Sequence, residues 1–150
     1  MNEMSEINAR KGWMESLAKA PSAVLAQAWQ QASLADEFEW LRAPETGTVM
    51  VQGATGGTGA AFNLGEMTVT RCAVRLADGN IGHAYIAGRD RKKAEIAALC
   101  DALMQTESAA AVRRKIINPV DEARRALRAS KAGKAAATKV DFFTLVRGED

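Results

Sequence analysis

The sequence predicts a single α+β domain: an antiparallel β-sheet with an N-terminal helix pair and C-terminal helices packed on it. Three observations carry this prediction. Residues 67–76 and 81–87 are two β-like runs joined by Ala77-Asp78-Gly79-Asn80, a hairpin turn signal. Apolar stripes at helical spacing lie on both sides of that hairpin. The 150 residues suit one domain that buries roughly 70% of its unfolded surface, and no internal repeat or second domain interrupts them.

In order along the chain, residues 1–8 are polar, and Asn8 is placed to cap a first helix with Trp13, Met14 and Leu17 on one side. Pro21 suits the first turn of a second helix, whose stripe is Val24, Leu25, Ala28, Trp29 and Ala32. These aromatics read as core. Neither helix has a basic, base-reading face, which argues against a helix-turn-helix. Residues 38–41 read as a short strand, Pro44-Glu45-Thr46-Gly47 as a turn, and residues 48–52 as the returning strand.

Next comes the most unusual stretch. Gly53, Gly56, Gly57, Gly59 and Gly65 put five glycines into thirteen residues, with Phe62 and Leu64 as apolar punctuation. Such density marks backbone that turns sharply or approaches something closely. The expected result is an ordered loop between strands, packed on the domain or on a partner.

In the hairpin, taking Asp78 and Gly79 as the two turn residues pairs Leu76 with Ile81, Val74 with His83 and Cys72 with Tyr85. These six would form one mostly apolar face, with Arg71 and Arg75 on the other beside Gly82, Ala84 and Ile86. That arrangement makes His83 a packed structural histidine and Cys72 an inert core thiol.

Asp90 should cap a helix through Met104, with Ile96, Leu99, Cys100 and Leu103 buried. Arg89, Arg91, Lys92 and Lys93 crowd its positive end. They are either a solvated charge run or an anion site that also uses free N–H groups. A further helix is expected over 107–117, an interruption at Pro119, and a helix from Asp121 to about Ser130. From Arg113 to Lys139, nine basic and two acidic residues give a local charge of 9 − 2 = +7, against +2 for the whole chain. This asymmetry fits an acidic partner surface, a polyphosphate or a solvated face. Residues 130–139 read as a flexible arm, and 140–146 as a last strand that rejoins its own sheet or docks on another chain.

Composition narrows the function classes. A net charge of +2 is too small for a general nucleic-acid binder. Two separated cysteines and one histidine cannot furnish an ordinary zinc site. No apolar run approaches the ~20 residues of a transmembrane helix, so no membrane partner is expected, and the two thiols point to the cytoplasm. A dinucleotide fingerprint fails because Phe62 stands at the third glycine position and a strand follows. A phosphate-binding loop fails for want of Gly-Lys-Ser/Thr. Glu45 and Glu66 bracket the glycine loop as acid/base candidates, with turn-capping and sheet-edge roles the plainer reading.

The motifs themselves are similar to those of a known family. Trp13-Met14-x-x-Leu17-Ala18, Pro44-Glu45-Thr46-Gly47, Gly56-Gly57-Thr58-Gly59-x-x-Phe62-Asn63-Leu64-Gly65-Glu66-x-Thr68-Val69-Thr70-Arg71, Val74-Arg75-Leu76 and Gly88-Arg89-Asp90 resemble PhnG of the bacterial phosphonate carbon–phosphorus lyase system. The closing Val140-Asp141-Phe142-Phe143-Thr144-Leu145-Val146-Arg147-Gly148 does so too.

The resemblance implies a cytoplasmic core complex with PhnI, PhnH and PhnJ. With PhnI, PhnH and PhnL, it implies support of an exchange that replaces the adenine of ATP by an alkylphosphonate, giving ribose 1-alkylphosphonate 5-triphosphate. PhnI would carry the nucleosidase-type chemistry, and PhnJ the later radical cleavage of the carbon–phosphorus bond. This chain would be a structural, substrate-shaping subunit with no catalytic residue and no cofactor of its own, ATP being the complex's substrate. Relatives often carry an arginine just before Gly-Gly-Thr-Gly; here Ala54-Thr55 fills that stretch. Partner- or anion-binding candidates are therefore Gly56, Gly57, Thr58, Gly59, Phe62, Asn63, Glu66, Thr70, Arg71, Arg75 and Arg89. The alternatives are a stand-alone nucleotide- or phosphonate-binding module and an independent enzyme using Glu45, Glu66 or His83. Alone in solution, the chain is expected to form a homo-oligomer, a two-fold dimer.

Overall fold

The computed structural model describes residues 3–34, 37–54 and 61–148. The order is α1 (Glu3–Ala18), α2 (Ser22–Ala32), β1 (Phe38–Ala54), β2 (Ala61–Leu76), β3 (Ile81–Ala87), α3 (Arg91–Leu103), α4 (Ala109–Val112), one π-helical turn (Arg113–Ile117) and α5 (Asn118–Gly148). The strands form one antiparallel sheet with β2 in the centre. The α+β class is as the sequence predicts.

Helices cover one face of the sheet. Alternation puts Cys72, Val74 and Leu76 of β2 inward, beside Ala84 and Ile86 of β3. α3 lies across this face and sends Ile96, Leu99 and Cys100 into it. Leu17 of α1, Leu25 of α2, and Val112, Ile116, Ile117 and Val120 close the core from behind. The closest approach is at Gly82. A β-carbon there would stand 2.0 Å from the Ala98 carbonyl oxygen and 2.6 Å from the Ala102 nitrogen. The α3 backbone therefore sits directly on β3, which only glycine permits.

Several local expectations change. α1 begins at Glu3, ahead of Asn8. Pro44-Glu45-Thr46-Gly47 is not a turn. It lies within one 17-residue strand, at an irregularity where the pairing steps from Arg42↔Ala73 to Glu45↔Arg71. A proline is tolerated there because β1 is an edge strand and bulged. β2 starts at Ala61, six residues before the expected start at Met67.

The β2–β3 register is shifted by one residue from the expected pairing: Arg71 faces Tyr85, Ala73 faces His83 and Arg75 faces Ile81. The turn is longer than two residues. Gly79 N–H bonds to the Leu76 carbonyl at 2.9 Å, Leu76 N–H to the Asn80 carbonyl at 2.9 Å, and Gly79 has φ +94°. This is the three-residue loop ending in a left-handed glycine. A one-residue slip exchanges faces. β2 keeps its expected orientation, but Ile81, His83 and Tyr85 turn outward while Gly82, Ala84 and Ile86 turn in. His83 is exposed, not packed in the core.

The C-terminal half is also more helical than expected. Pro119 does not interrupt the helix. It follows the π-helical turn, in which Asn118 N–H bonds to the Arg113 carbonyl. The wider turn accommodates a residue that lacks an N–H and crowds the preceding carbonyls. The expected arm at 130–139 and strand at 140–146 are both part of the 31-residue α5. Seven of the ten residues at 129–138 are Ala or Lys, strong helix formers.

Candidate functional site: the outer sheet face and the ribbon

No described helix covers the other face of the sheet, and its side chains stand in cross-strand rows. Glu39, Arg75 and Ile81 make one row, Arg42, Ala73 and His83 the next, and Glu45, Arg71 and Tyr85 the third. The charges are matched along these rows. Arg71 Nε donates to Glu45 Oε1 at 2.8 Å, Arg75 Nε lies 3.0 Å from Glu39 Oε1, and Arg42 Nη1 lies 3.4 Å from Glu45 Oε1. About half of each of these side chains is exposed, so the pairs contribute little to stability and are screened by salt. Between them Leu41, Ile81 and Tyr85 show 41%, 37% and 52% of their surface. A depression of about 510 Å³ is lined by Leu41, Arg42, Arg71, His83 and Tyr85, among others.

Beyond β3, the sheet narrows to a ribbon. β3 pairs only with residues 69–75 of β2, whereas β1 and β2 stay paired as far as Ala54↔Ala61. Met50, Leu64 and Met67 on this ribbon are 51%, 62% and 41% exposed. A two-stranded ribbon is marginally stable in water unless something packs against it.

The described candidate residues do not converge on one pocket. Arg71 and Arg75 share the outer face. Glu66 is exposed on the ribbon, opposite Met50. Phe62 and Asn63 pair with Gly53 and Gln52 at its far end. Gly56, Gly57, Thr58 and Gly59, with Thr55, lie outside the described residues. Thr70 is fully buried; its hydroxyl donates to the Gly88 carbonyl at 2.7 Å and shares a 3.2 Å hydrogen bond with Thr46. It fixes the sheet.

Arg89 is exposed past the end of β3, at the start of α3. At that helix start the Asp90 side chain accepts the Lys93 N–H at 3.0 Å, as expected of a cap. Bonds from Lys93 N–H and the Ser22 side chain hold the Asp90 carboxyl below its ordinary range. Lys92 pairs with Glu95 at 3.2 Å. A carboxylate thus already occupies this helix N-terminus.

One network was missed by sequence reasoning. Asp101 on α3 is completely buried. It accepts Arg10 Nε at 3.1 Å and Arg10 Nη2 at 2.8 Å, Trp13 Nε1 at 2.7 Å, and the His83 backbone N–H at 2.9 Å. The bonds to Asp101 raise the Arg10 pKa. Gln105, just past the end of α3, donates its Nε2 to the Ile81 carbonyl at 2.8 Å, so Asp101 and Gln105 together cover the free edge of β3 at Ile81 and His83. A signal was present in the sequence: from Ala94 to Met104 only Glu95 and Asp101 are neither small nor apolar.

Cys72 donates its thiol to the Ala94 carbonyl at 3.2 Å, and burial pushes its pKa up to about 11. Burial raises Cys100 further. Neither is a thiolate nucleophile near neutrality. Among the described residues, no three His, Cys, Asp or Glu side chains cluster as a metal site would require, and no helix is long and apolar enough to cross a membrane.

The fold and this surface define a class: a two-layer α+β protein with one sheet face closed by helices and the other left open as a ladder of charged and apolar side chains. Sequence comparison then gives the family. The family model described as phosphonate metabolism protein PhnG matches residues 8–148. The chain is also 44% identical over 146 residues to the alpha-D-ribose 1-methylphosphonate 5-triphosphate synthase subunit PhnG of Rhizobium meliloti (strain 1021), covering 94% of this chain and 90% of that protein. The chain belongs to the PhnG family.

Proposed function

We propose that this chain is a subunit of the assembly that makes ribose 1-alkylphosphonate 5-triphosphate from ATP and an alkylphosphonate, in the cytoplasm, with PhnI, PhnH and PhnL, and that it joins PhnI, PhnH and PhnJ in a core complex. The carrying observation is the family match across residues 8–148. The surface agrees with it. Arg71 and Arg75, the arginines best placed for an anion, are each met by a carboxylate of β1. They form a mixed ladder suited to another protein rather than a cradle for phosphate. The exposed apolar residues of the ribbon favour the same use. The chain contributes contacts, while the reacting groups come from other subunits. Expressed alone, it covers this surface by forming a two-fold homodimer.

The test is co-expression of the tagged chain with PhnI, PhnH and PhnL, followed by assay of adenine release from ATP and methylphosphonate. Co-purification with PhnI and activity that requires this chain are expected. Failure to associate with PhnI overturns the proposal. Saturable binding of ATP to the isolated chain, lost in Arg71→Ala, would favour a stand-alone binding module instead.

A further inference from the structure

The basic C-terminal stretch plays no part in the outer sheet face. In the fold, part of it lines a groove of about 310 Å³ between the start of α2 and α5, formed by Lys19, Pro21, Arg124, Leu127, Arg128 and Lys131. Four cations line this groove, and among the described residues no carboxylate does. Positions 124, 127, 128 and 131 are spaced i, i+3, i+4, i+7, a single stripe along ~10 Å of helix.

Within α5 this stripe repels itself. Arg124 and Arg128 are like charges one turn apart, which disfavours the helix. Nearby acids compensate only in part. Glu15 pairs with Lys19 at 2.8 Å, and Asp121 stands 3.8 Å from Arg124, too far for a hydrogen bond. Arg124 Nε and Nη1 are shielded from solvent and have no hydrogen-bond partner among the described residues. Asp121 Oδ1 is likewise shielded and without a hydrogen bond, so Arg124 and Asp121 answer each other at the base of the groove, and its outward charge comes from Arg128, Lys131 and Lys19. Leu127, half exposed at 51%, sits in the middle of the cations.

We propose that this groove binds an acidic peptide segment of a partner subunit, in which aspartates or glutamates flank an apolar residue. The carboxylates meet the exposed Arg128 and Lys131, and the apolar residue meets Leu127 and Pro21. An apolar centre between cations suits an amphipathic segment laid along a helix. Inorganic polyphosphate has no use for Leu127. The inference rests on the chain's being a subunit of a larger assembly.

The experiment uses the co-expressed complex. A photocrosslinking phenylalanine analogue replaces Leu127, and the crosslinked peptide is identified by mass spectrometry. The expected product joins position 127 to a partner-subunit segment with at least two acidic residues within a turn of the crosslink. The exposed double variant Arg128→Glu/Lys131→Glu, shown folded by circular dichroism, should weaken complex formation by about tenfold or more and flatten its salt dependence.

A crosslink only to this chain, to a second copy of it, or to a segment without carboxylates overturns the proposal. So does unchanged assembly of the double variant. Calorimetric binding of inorganic triphosphate to the isolated chain, abolished by the same variant, would reassign the groove to a small anion. If the unmodified chain forms no complex, the subunit reading fails as well. If an active complex forms without the crosslink, only the groove proposal fails.

Discussion

The two faces of the sheet come from the same three strands, yet they obey different rules. On the inner face, Cys72, Val74, Leu76, Ala84 and Ile86 are all at most 8% exposed, and Gly82 lets a helix backbone touch the strand. On the outer face, alternate rows pair Arg75 with Glu39 and Arg71 with Glu45 in solvent, with Ile81 and Tyr85 at the β3 ends of those rows. Burial makes each inner position sensitive to a methyl group. Exposure makes each outer ion pair nearly neutral for folding. The contrast teaches where to look for function: residues that fold the chain face inward, and residues free to serve an assembly face outward.

The sharpest way to break this contrast is at the inner face. Gly82→Ala drives a β-carbon into the Ala98 carbonyl and Ala102 of α3. Overpacking against backbone should cost about 3 kcal/mol or more, measured by urea denaturation. A loss under about 1 kcal/mol would mean that α3 can lift from β3 without consequence, and the inner face would not be the rigid one.

Next in size is Asp101→Asn. The amide keeps the shape but removes the charge that receives Arg10, Trp13 and the His83 N–H. A loss of about 2–4 kcal/mol is expected. It should be accompanied by faster amide exchange at His83, because the sealed edge of β3 loses its acceptor. Stability within about 0.5 kcal/mol of the parent would reduce Asp101 to an ordinary surface-type pair.

Much of the inner face was legible in the sequence. The stripes through Leu17, Leu25 and Leu99 have helical period, and Asp90 caps α3 where a cap belongs. The outer face was harder to read, for three physical reasons. The face of His83 depends on one residue of loop length, and Asp78-Gly79 suits either a two-residue or a three-residue turn. Pro44-Glu45-Thr46-Gly47 has the chemistry of a turn, but pairing along β2 overrides that local preference. The Arg10–Asp101 pair joins residues 91 positions apart, which no local pattern encodes. Pro119 was misread because a π-helical turn is a tertiary accommodation, not a local propensity.

A smaller effect marks the boundary of the inner layer. Asp90→Ala removes the α3 cap and should cost about 1 kcal/mol at neutral pH. The sign with pH follows from the lowered carboxyl of Asp90 in the folded state. A lowered folded pKa gives stability that is complete above the ordinary carboxylate value of about 3.9 and is lost as pH falls through the lowered one. The parent and Asp90→Ala should therefore converge in acid. A deficit that persists in full at the lowest pH at which the parent still folds would mean that the carboxylate charge is not what caps the helix.

The smallest effect on folding is expected where the effect on assembly should be largest. Arg71→Ala breaks a half-exposed pair with Glu45 and should change unfolding stability by no more than about 0.5 kcal/mol. Glu45→Ala should be similar, and the double variant should show little coupling once salt is raised. Against the co-expressed subunits the order should reverse. Arg71→Ala should weaken association and adenine release together, while Asp90→Ala, despite its larger folding cost, leaves both unchanged in protein that is folded. If Arg71→Ala instead unfolds the chain and spares association, the outer ladder is part of the fold. The partner surface would then lie on the ribbon or along α5.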